Sequence, residues 1–292
     1  MLSVLIPTYN YNAFLLVKKI HEQLVLENIV FEIICFDDGS NSSININNEE
    51  INTLSNATFI AFNKNVGRSA IRNLLAEKAT FNWLLFLDAD VLPISDNFIK
   101  NYSKYFNSDK IVFCGGIKYQ DSTENQKYLR YKYGKKNEEI SLNKRRQNPS
   151  KYFFTSNFLI QKAVFLKIKF EEKLVDYGKE DLLFSMDLIT QGYKIEQIEN
   201  EVYHLGIDDN ALFIQKTKKA MKNLIFLERS NLIDVDSMQL LKLIHKISRF
   251  KLLRPIAFLQ PVFENLATNK SSVFFLNCMK VSYLCQLKLK YE

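Results

Sequence analysis

Four short apolar runs in the first 90 residues each stop at a cluster of small polar or charged residues, and this pattern limits the fold more than any other feature. The runs are LSVLIP (2–7), FEIICF (31–36), ATFIAF (57–62) and NWLLFL (82–87). Helical patterns fill 13–28 and 68–78, and the polar stretch NSSININNEE lies in the crossing between the second and third runs. Strand-length runs joined by helical crossovers predict an α/β fold on a doubly wound, mostly parallel sheet. Ligands of such sheets sit outside the carboxyl ends of the strands. Those ends here carry Pro7-Thr8-Tyr9-Asn10, Asp37-Asp38-Gly39-Ser40, Asn65-Val66-Gly67-Arg68 and Asp88-Ala89-Asp90. DDGS alone reads equally well as turn chemistry, because Asp, Gly and Ser favour turns. Four polar ends on one edge point to a shared binding cleft.

The middle of the chain is less regular. KIVFCGGIKY (110–119) predicts a strand with a Gly-Gly bend, and YFFTSNFLIQ (152–161) predicts another strand. Between them, residues 121–150 are polar and basic and read as a mobile loop or lid. KEDLLFSMDLITQG (179–192) predicts a helix closed by Gly192, with Glu180 and Asp181 in its first turn. From about residue 208 the pattern is helical throughout, with segments at 237–250 and 271–290. The net charge of +7 is concentrated there: residues 211–292 hold 14 Lys and Arg against 5 Asp and Glu. A near-neutral body with a basic tail region suggests two functional parts.

Composition closes off several classes. With 47% hydrophobic residues the chain has material for a sizeable core, and 8 Gly and 5 Pro exclude collagen-like or Pro-rich disorder. Cys35, Cys114, Cys278 and Cys285 show no CxxC spacing, and the first two sit in apolar runs, so buried free thiols are expected. No basic leader precedes the first strand pattern, and no window approaches ~18 uninterrupted apolar residues, so neither a signal peptide nor a membrane-spanning helix is expected. A cytoplasmic setting fits. Nucleic-acid binding would need an aromatic-lined or groove-reading motif, and none occurs.

SVLIPTYN, FDDGS, NVGRSAIRN, FLDAD and YGKEDLLFSMDLITQGYKI…VYHLG follow one another in an order that resembles family 2 glycosyltransferases of the GT-A fold. The likeness covers roughly residues 1–206, and the later part is similar to the carboxy-terminal half of the β-1,4-galactosyltransferase and chondroitin-polymerase type. It implies a GT-A domain over 1–206, with a nucleotide-sugar-binding half (1–93) and an acceptor-binding half (94–206). Residues 207–292 then form a basic helical extension that resembles nothing identifiable.

The resemblance also implies roles. The donor would be a UDP-sugar, bound by Pro7, Thr8, Tyr9, Asn10, Asp38, Asn65, Arg72, Asp88 and Ala89. Tyr9 would stack on the uracil and Asp38 would accept its N3–H, while Arg72 would contact the nucleotide. Asp88 and Asp90 match a DxD signature. Alternate residues of a strand share a side, so both carboxylates are expected to face one ligand, and hard cations such as Mn2+ or Mg2+ take oxygen ligands while binding substrate phosphates. Asp90 would hold the metal and Asp88 the ribose or donor sugar. His204, in the VYHLG context, would be the second metal ligand.

Inverting transfer needs a base for the acceptor hydroxyl. Carboxylates in a first helical turn are favoured by the helix dipole alone, so Glu180 and Asp181 have an ordinary structural reading too. The resemblance to GGED motifs makes Asp181 the base and Glu180 an acceptor contact, beside Tyr177, Gly178 and Asn157. Lys179 stands where the motif has Gly.

The basic tail region reads either as solvated helix faces or as a peripheral contact with anionic membrane, through HKISRFKLLRPIAFLQPVF. The second reading would suit a lipid-linked glycan acceptor in bacterial capsule, O-antigen or lipooligosaccharide synthesis at the inner face of the plasma membrane. A competing reading is a non-catalytic nucleotide-sugar-binding scaffold, which the filled nucleotide, metal and base positions disfavour. A nucleotidyltransferase would want a Gly-rich basic loop after the first strand, and PTYNYNAF is not one.

Overall fold

A computed structural model describes residues 1–174 and 176–291, apart from the Ser237 side chain. The chain opens with β1 (Leu2–Thr8), α1 (Phe14–Leu26), β2 (Phe31–Asp37), α2 (Asn45–Glu49) and β3 (Ala57–Ala61). Then come α3 (Arg68–Lys78), β4 (Trp83–Leu87), β5 (Val91–Pro93), α4 (Phe98–Ser103), β6 (Val112–Cys114) and β7 (Ile117–Lys118). Next follow α5 (Leu129–Asn137), α6 (Leu142–Gln147), β8 (Asn157–Gln161), α7 (Lys162–Ile168), α8 (Glu180–Thr190), β9 (Glu196–Gln197) and β10 (Val202–His204). The rest is helical: α9 (Asn210–Arg229), α10 (Gln239–Arg249), α11 (Leu253–Phe258), α12 (Gln260–Lys270) and α13 (Val273–Tyr291).

These elements form two compact units. The first takes Met1–Gln120, Glu138–Val175 and Glu180–Gly206, and the second takes Asp121–Asn137, Asp176–Lys179 and Ile207–Glu292. The second unit therefore draws two segments, 121–137 and 176–179, from the span that the sequence assigns to an acceptor-binding half.

In the first unit seven strands run in the order β3-β2-β1-β4-β8-β6-β9, and a smaller sheet runs β5-β10-β7. β1, β2, β3 and β4 pair in parallel, whereas β8 is antiparallel to both β4 and β6. β4 is apolar throughout, and β1 and β2 largely so, because both faces of the sheet are covered there. Side chains alternate between the faces: Val4, Ile6, Ile33, Cys35, Leu85 and Leu87 enter one core, where α1 contributes Leu16, Val17 and Ile20. Leu5, Ile34, Phe36, Leu84 and Phe86 enter the other, with Ile71 and Leu75 of α3 and Phe184 and Leu188 of α8. Phe86 stacks on Phe158 and Phe165 at centroid distances of 4.8 and 4.9 Å, which locks β4 to β8 and α7. Cys35, Cys114 and Cys285 are buried free thiols, and Cys278 is a partly exposed one.

One expectation is corrected here. Residues 121–150 are not a loop, since α5 and α6 occupy much of the segment. Its polar composition misleads because short helices here keep most of their polar side chains at the surface, while Arg130 and Arg145 are buried. Arg145 is 1% exposed and donates to Gln197 and Ile198 O at 2.7 and 3.0 Å, with Glu201 at 3.2 Å. Asn157, expected on the acceptor side, is 1% exposed. Its amide donates to Gly116 O and Asn200 O at 3.0 and 2.8 Å, and its oxygen accepts from the Tyr102 hydroxyl at 2.7 Å. With those bonds made, Asn157 ties β8 to its neighbours.

The second unit is helical, and among the described residues no helix is long and apolar enough to cross a membrane. α11 and α12 fill the stretch between the two helices anticipated at 237–250 and 271–290. α9, α10 and α13 meet at Glu228, which is nearly buried and bonded to Lys288 at 2.8 Å and to His245. Burial alone would raise the Glu228 carboxyl, but the bonds and charges of Lys288 and His245 outweigh it and leave it below its ordinary value. The folded state thus binds this proton more weakly than the unfolded chain. The resulting stability is present above the ordinary glutamate range and lost as pH falls through the depressed value. Glu228→Gln should flatten the acid limb of the stability-versus-pH profile measured by urea unfolding. An unchanged acid limb would show that the clip contributes nothing.

Candidate active site

The carboxyl edge of the first sheet is held together by the side chains that fill it. Asp37 caps the turn after β2, accepting from Ser40 N and Oγ at 2.9 and 2.7 Å and from Asn45 at 3.1 Å. Asp38 turns the other way and accepts from the N–H groups of Val66 and Gly67 at 2.6 and 3.1 Å, just before α3. Asn65 returns a bond to Asp38 O at 2.9 Å, and Asp38 N bonds Thr8 O at 2.9 Å. The ends of β1, β2 and β3 are thereby tied into one rim. Gly39 is required at this approach, because a Cβ there would lie 2.4 Å from the Lys64 carbonyl carbon. Burial pushes the Asp38 carboxyl above its ordinary value, against the pull of the two N–H bonds. Tyr9 stands at the same edge with 54% exposure, Pro7 and Thr8 lead up to it in β1, and Asn10 follows it exposed at φ +51°.

Asp88, Ala89 and Asp90 do not continue β4. They form the turn between β4 and β5, with Val91 N bonded to Asp88 O at 3.3 Å, so the strand rule that would place both carboxylates on one side does not govern them. The turn sends them to different partners. Asp88 meets the Arg72 guanidinium, which is 2% exposed, also donates to Arg68 O at 3.0 Å and lies 5.8 Å from the Phe170 ring. Asp90 lies 3.6 Å from His204 Nε2. The small sheet creates that second meeting, because β10 pairs antiparallel with β5 and sets His204 opposite Val91, while Leu205 N bonds Asp90 O at 2.8 Å. Tyr119, buried and bonded through its hydroxyl to Glu138, stacks on the imidazole at 5.5 Å.

The sequence assigns Arg72 to the nucleotide. Its partner in the structure is Asp88, so its first effect is to neutralise the carboxylate one turn away from Asp90. Tyr11 was not anticipated at all: burial, then the Asp90 charge, raise its phenol above the usual range. Its place three residues beyond Thr8, whose hydroxyl bonds Tyr11 O at 3.0 Å, was the available signal.

The acceptor-side candidates separate between the units. Glu180, in the first turn of α8, is 5% exposed and takes Arg68 Nη1 at 3.4 Å. Asp181 follows it, half-exposed, with Oδ1 on Leu182 N at 2.7 Å. Tyr177 and Gly178 belong to the second unit. There Asn223 bonds Gly178 O at 2.7 Å, and the Lys216 ammonium lies 5.5 Å from the Tyr177 ring. Lys179, in the motif's glycine position, adopts φ +80°, where a glycine would be unstrained.

Several buried polar atoms lack a hydrogen-bond partner among the described residues, and in the first unit they include Ser69 Oγ, Arg72 Nε, Ser156 Oγ and Glu180 Oε2. Ser69 precedes Arg72 by one turn of α3, and Ser156 O accepts from Asp88 N at 3.4 Å. An unmade buried hydrogen bond costs about 1–3 kcal/mol, so these atoms mark where a polar ligand would repay the cost. Ser69 and Ser156 carried no spacing signal that singled them out.

The Asp90–His204 pair suits a divalent cation. One carboxylate oxygen and one imidazole nitrogen leave a coordination sphere open to water and substrate phosphate, which is how such ions commonly bind. Gly206 keeps the oxygen accessible, since a Cβ there would lie 2.1 Å from Asp90 Oδ2. Among the described residues no group of three or more His, Cys, Asp or Glu side chains could hold a metal, so the fit rests on this pair alone.

Removing one member of a largely buried ion pair costs more than removing both. Arg72→Met should destabilise the protein by about 2–4 kcal/mol, below the upper range because Asp88 keeps some water contact. Adding Asp88→Asn should recover most of the loss in denaturant unfolding. Equal losses for the single and double variants would show that Arg72 does not neutralise Asp88.

No curated protein matches the sequence. Among solved structures, the mannosyltransferase PcManGT from Pyrobaculum calidifontis, in complex with GDP-Man and Mn2+, is similar with a TM-score of 0.57 at 14% identity, covering 99% of this chain and 86% of that one. S. aureus TarS 1–349 in complex with UDP is similar with a TM-score of 0.51 at 15% identity, covering 99% and 90%. Against the longer S. aureus TarS chain the likeness spans 77% of this chain and 39% of that one. These likenesses carry the GT-A fold. The sequence matches the family described as glycosyl transferase family 2 over residues 3–169, a span that ends before Glu180, Asp181 and His204. That match covers more than half of the chain, which belongs to glycosyl transferase family 2.

Proposed function

We propose that the first unit transfers a sugar, with inversion, from a UDP-sugar to a hydroxyl of a glycan acceptor in the synthesis of a bacterial surface polysaccharide. The observation that carries this reading is the divided Asp88–Ala89–Asp90 turn, with one carboxylate on Arg72 and the other beside His204. Neighbours solved with UDP, UDP-GlcNAc or GDP-Man support a nucleotide-sugar donor.

Each role follows from what a side chain has left to offer. Tyr9 presents an exposed ring on which uracil can stack. Asp38 holds two backbone N–H groups and keeps lone pairs for the uracil N3–H, with Asn65 and Thr8 fixing its loop. Asp88 spends Oδ1 on Arg72 and has Oδ2 for the ribose or the donor sugar, with the buried Ala89 next to it in the turn. Asp90 and His204 would hold Mn2+ or Mg2+, which when bound offsets the negative charge of the departing diphosphate. Asp181 takes the proton from the acceptor hydroxyl as that oxygen attacks the anomeric carbon. The bond from that carbon to the UDP oxygen breaks on the opposite side, and UDP leaves. Glu180 orients the acceptor through the oxygen that Arg68 does not use. A lipid-linked acceptor would place this work in the cytoplasm, at the inner face of the plasma membrane.

Asp181→Asn removes the base and keeps the shape. It should lower transfer by about 10²–10⁴-fold, while UDP still raises the melting temperature as it does for the wild type. A variant with near-wild-type UDP release from UDP-sugar and acceptor would exclude Asp181 as the base.

A further inference from the structure

Residues 237–263 contain no carboxylate and five cations: Lys242, Lys246, Arg249, Lys251 and Arg254. The structure folds this stretch into α10, α11 and the first turn of α12, and it divides sharply by face. Leu241, Ile244, Leu253 and Gln260 are buried within the helical unit. On the outside stand Phe258 at 83% exposure and Phe250 at 63%, with Leu252, Leu259 and Val262 also exposed. Arg254 and Phe258 are four residues apart in α11 and share a side of it, and Val262 stands exposed in the first turn of α12. Aromatic and aliphatic side chains thus stand out among Arg249, Lys251 and Arg254, which are exposed too.

Four of the five cations are not spent on carboxylates within the described residues. Lys242 pairs with Asp236 at 3.6 Å, and Glu264 is taken by Lys218 at 2.9 Å. Lys246, Arg249, Lys251 and Arg254 have no carboxylate partner among the described residues. The turn that joins α10 to α11 has a firm geometry: Leu252 N bonds Ile247 O at 3.0 Å and Lys251 N bonds Ser248 O at 2.8 Å. This is a Schellman closure with Lys251 in the left-handed position at φ +57°, where glycine is the usual residue. A lysine kept in a position that favours glycine, between Phe250 and Leu252, puts a charge where the backbone gains nothing from it.

We infer that the face formed by Phe250, Lys251, Leu252, Arg254, Phe258 and Val262 docks on an anionic phospholipid surface. Exposed rings and aliphatic groups enter the headgroup boundary, and the unpaired cations meet the lipid phosphates. A soluble protein partner would have to bring a carboxylate-rich apolar patch, whereas an anionic membrane presents both features everywhere. The inference rests on the proposed reading of a membrane-associated acceptor and names the surface that meets the membrane.

The test is flotation of the full chain with vesicles of phosphatidylglycerol and phosphatidylcholine, against vesicles of phosphatidylcholine alone. Wild-type protein should float with the anionic vesicles, less so as salt rises, and stay behind with neutral ones. Arg249→Gln, Lys251→Gln and Arg254→Gln together should lower partitioning by about two orders of magnitude, at roughly fivefold per charge. Lys251→Gly alone should lower it by about fivefold and leave the fold intact, because glycine suits that backbone. Lys251→Arg should retain binding. Salt-independent or lipid-indifferent flotation would overturn the proposal, and so would a triple variant that binds like the wild type. A concentration-dependent dimer abolished by Phe258→Ser would also overturn it, by identifying a second copy as the occupant. UDP thermal shifts on the same samples separate the two claims. Loss of UDP binding with flotation intact would remove the donor reading and leave the surface standing.

Discussion

The contact between the Arg72 guanidinium and the Asp88 carboxylate sets the geometry of everything around it. Two carboxylates one residue apart at the end of a buried strand repel each other and lose hydration. A cation at 2% exposure, already anchored to its own helix through Arg68 O, removes that cost for one of them. Asp88 is then fixed to α3, and the turn can leave the sheet in a new direction. Asp90 is carried into the small sheet, where β10 delivers His204 from more than a hundred residues further along the chain. One ion pair therefore decides which aspartate is neutralised internally and which remains available to an external cation.

The same economy governs the rest of the rim. Asp37 is consumed by Ser40 and Asn45, while Asp38 accepts from the amides that precede α3 and keeps lone pairs free. On the proposed reading those lone pairs read the uracil, the second oxygen of Asp88 meets the ribose or donor sugar, and Asp90 holds the cation. The unpartnered buried atoms of Arg72 and Ser156 belong to residues bonded to Asp88. Such unpaired atoms are tolerated where a ligand completes them.

Much of the fold was legible because strand-length apolar runs and helical crossovers follow directly from the periods of the two backbones. The parallel pairing of β1 to β4 and the helices at 68–78 and 179–192 came from that pattern alone. The core bonds of Asn157 were not legible. A polar residue in a strand looks the same whether its amide faces a ligand or three core partners, and only the positions of Tyr102, Gly116 and Asn200 decide it. The segment 121–150 failed for a related reason: its polar residues suggested solvent, yet Arg145 is among the most buried side chains. The DxD spacing was visible, but the turn that separates the two aspartates depends on Arg72 and on a strand pairing with no local signature. The helical reading beyond residue 208 extends to α11 and α12, whose Pro255 and Pro261 stand in a first turn, where helices tolerate proline.

The central claim is that the two aspartates are unequal, with Asp90 and His204 available to a cation and Asp88 held by Arg72. Mn2+ binding followed by electron paramagnetic resonance in the presence of UDP, on wild type, Asp90→Asn and Asp88→Asn, tests this most directly. The account predicts that Asp90→Asn abolishes the protein-bound, UDP-dependent signal while Asp88→Asn retains it. Loss of the signal in Asp88→Asn with its retention in Asp90→Asn would contradict it.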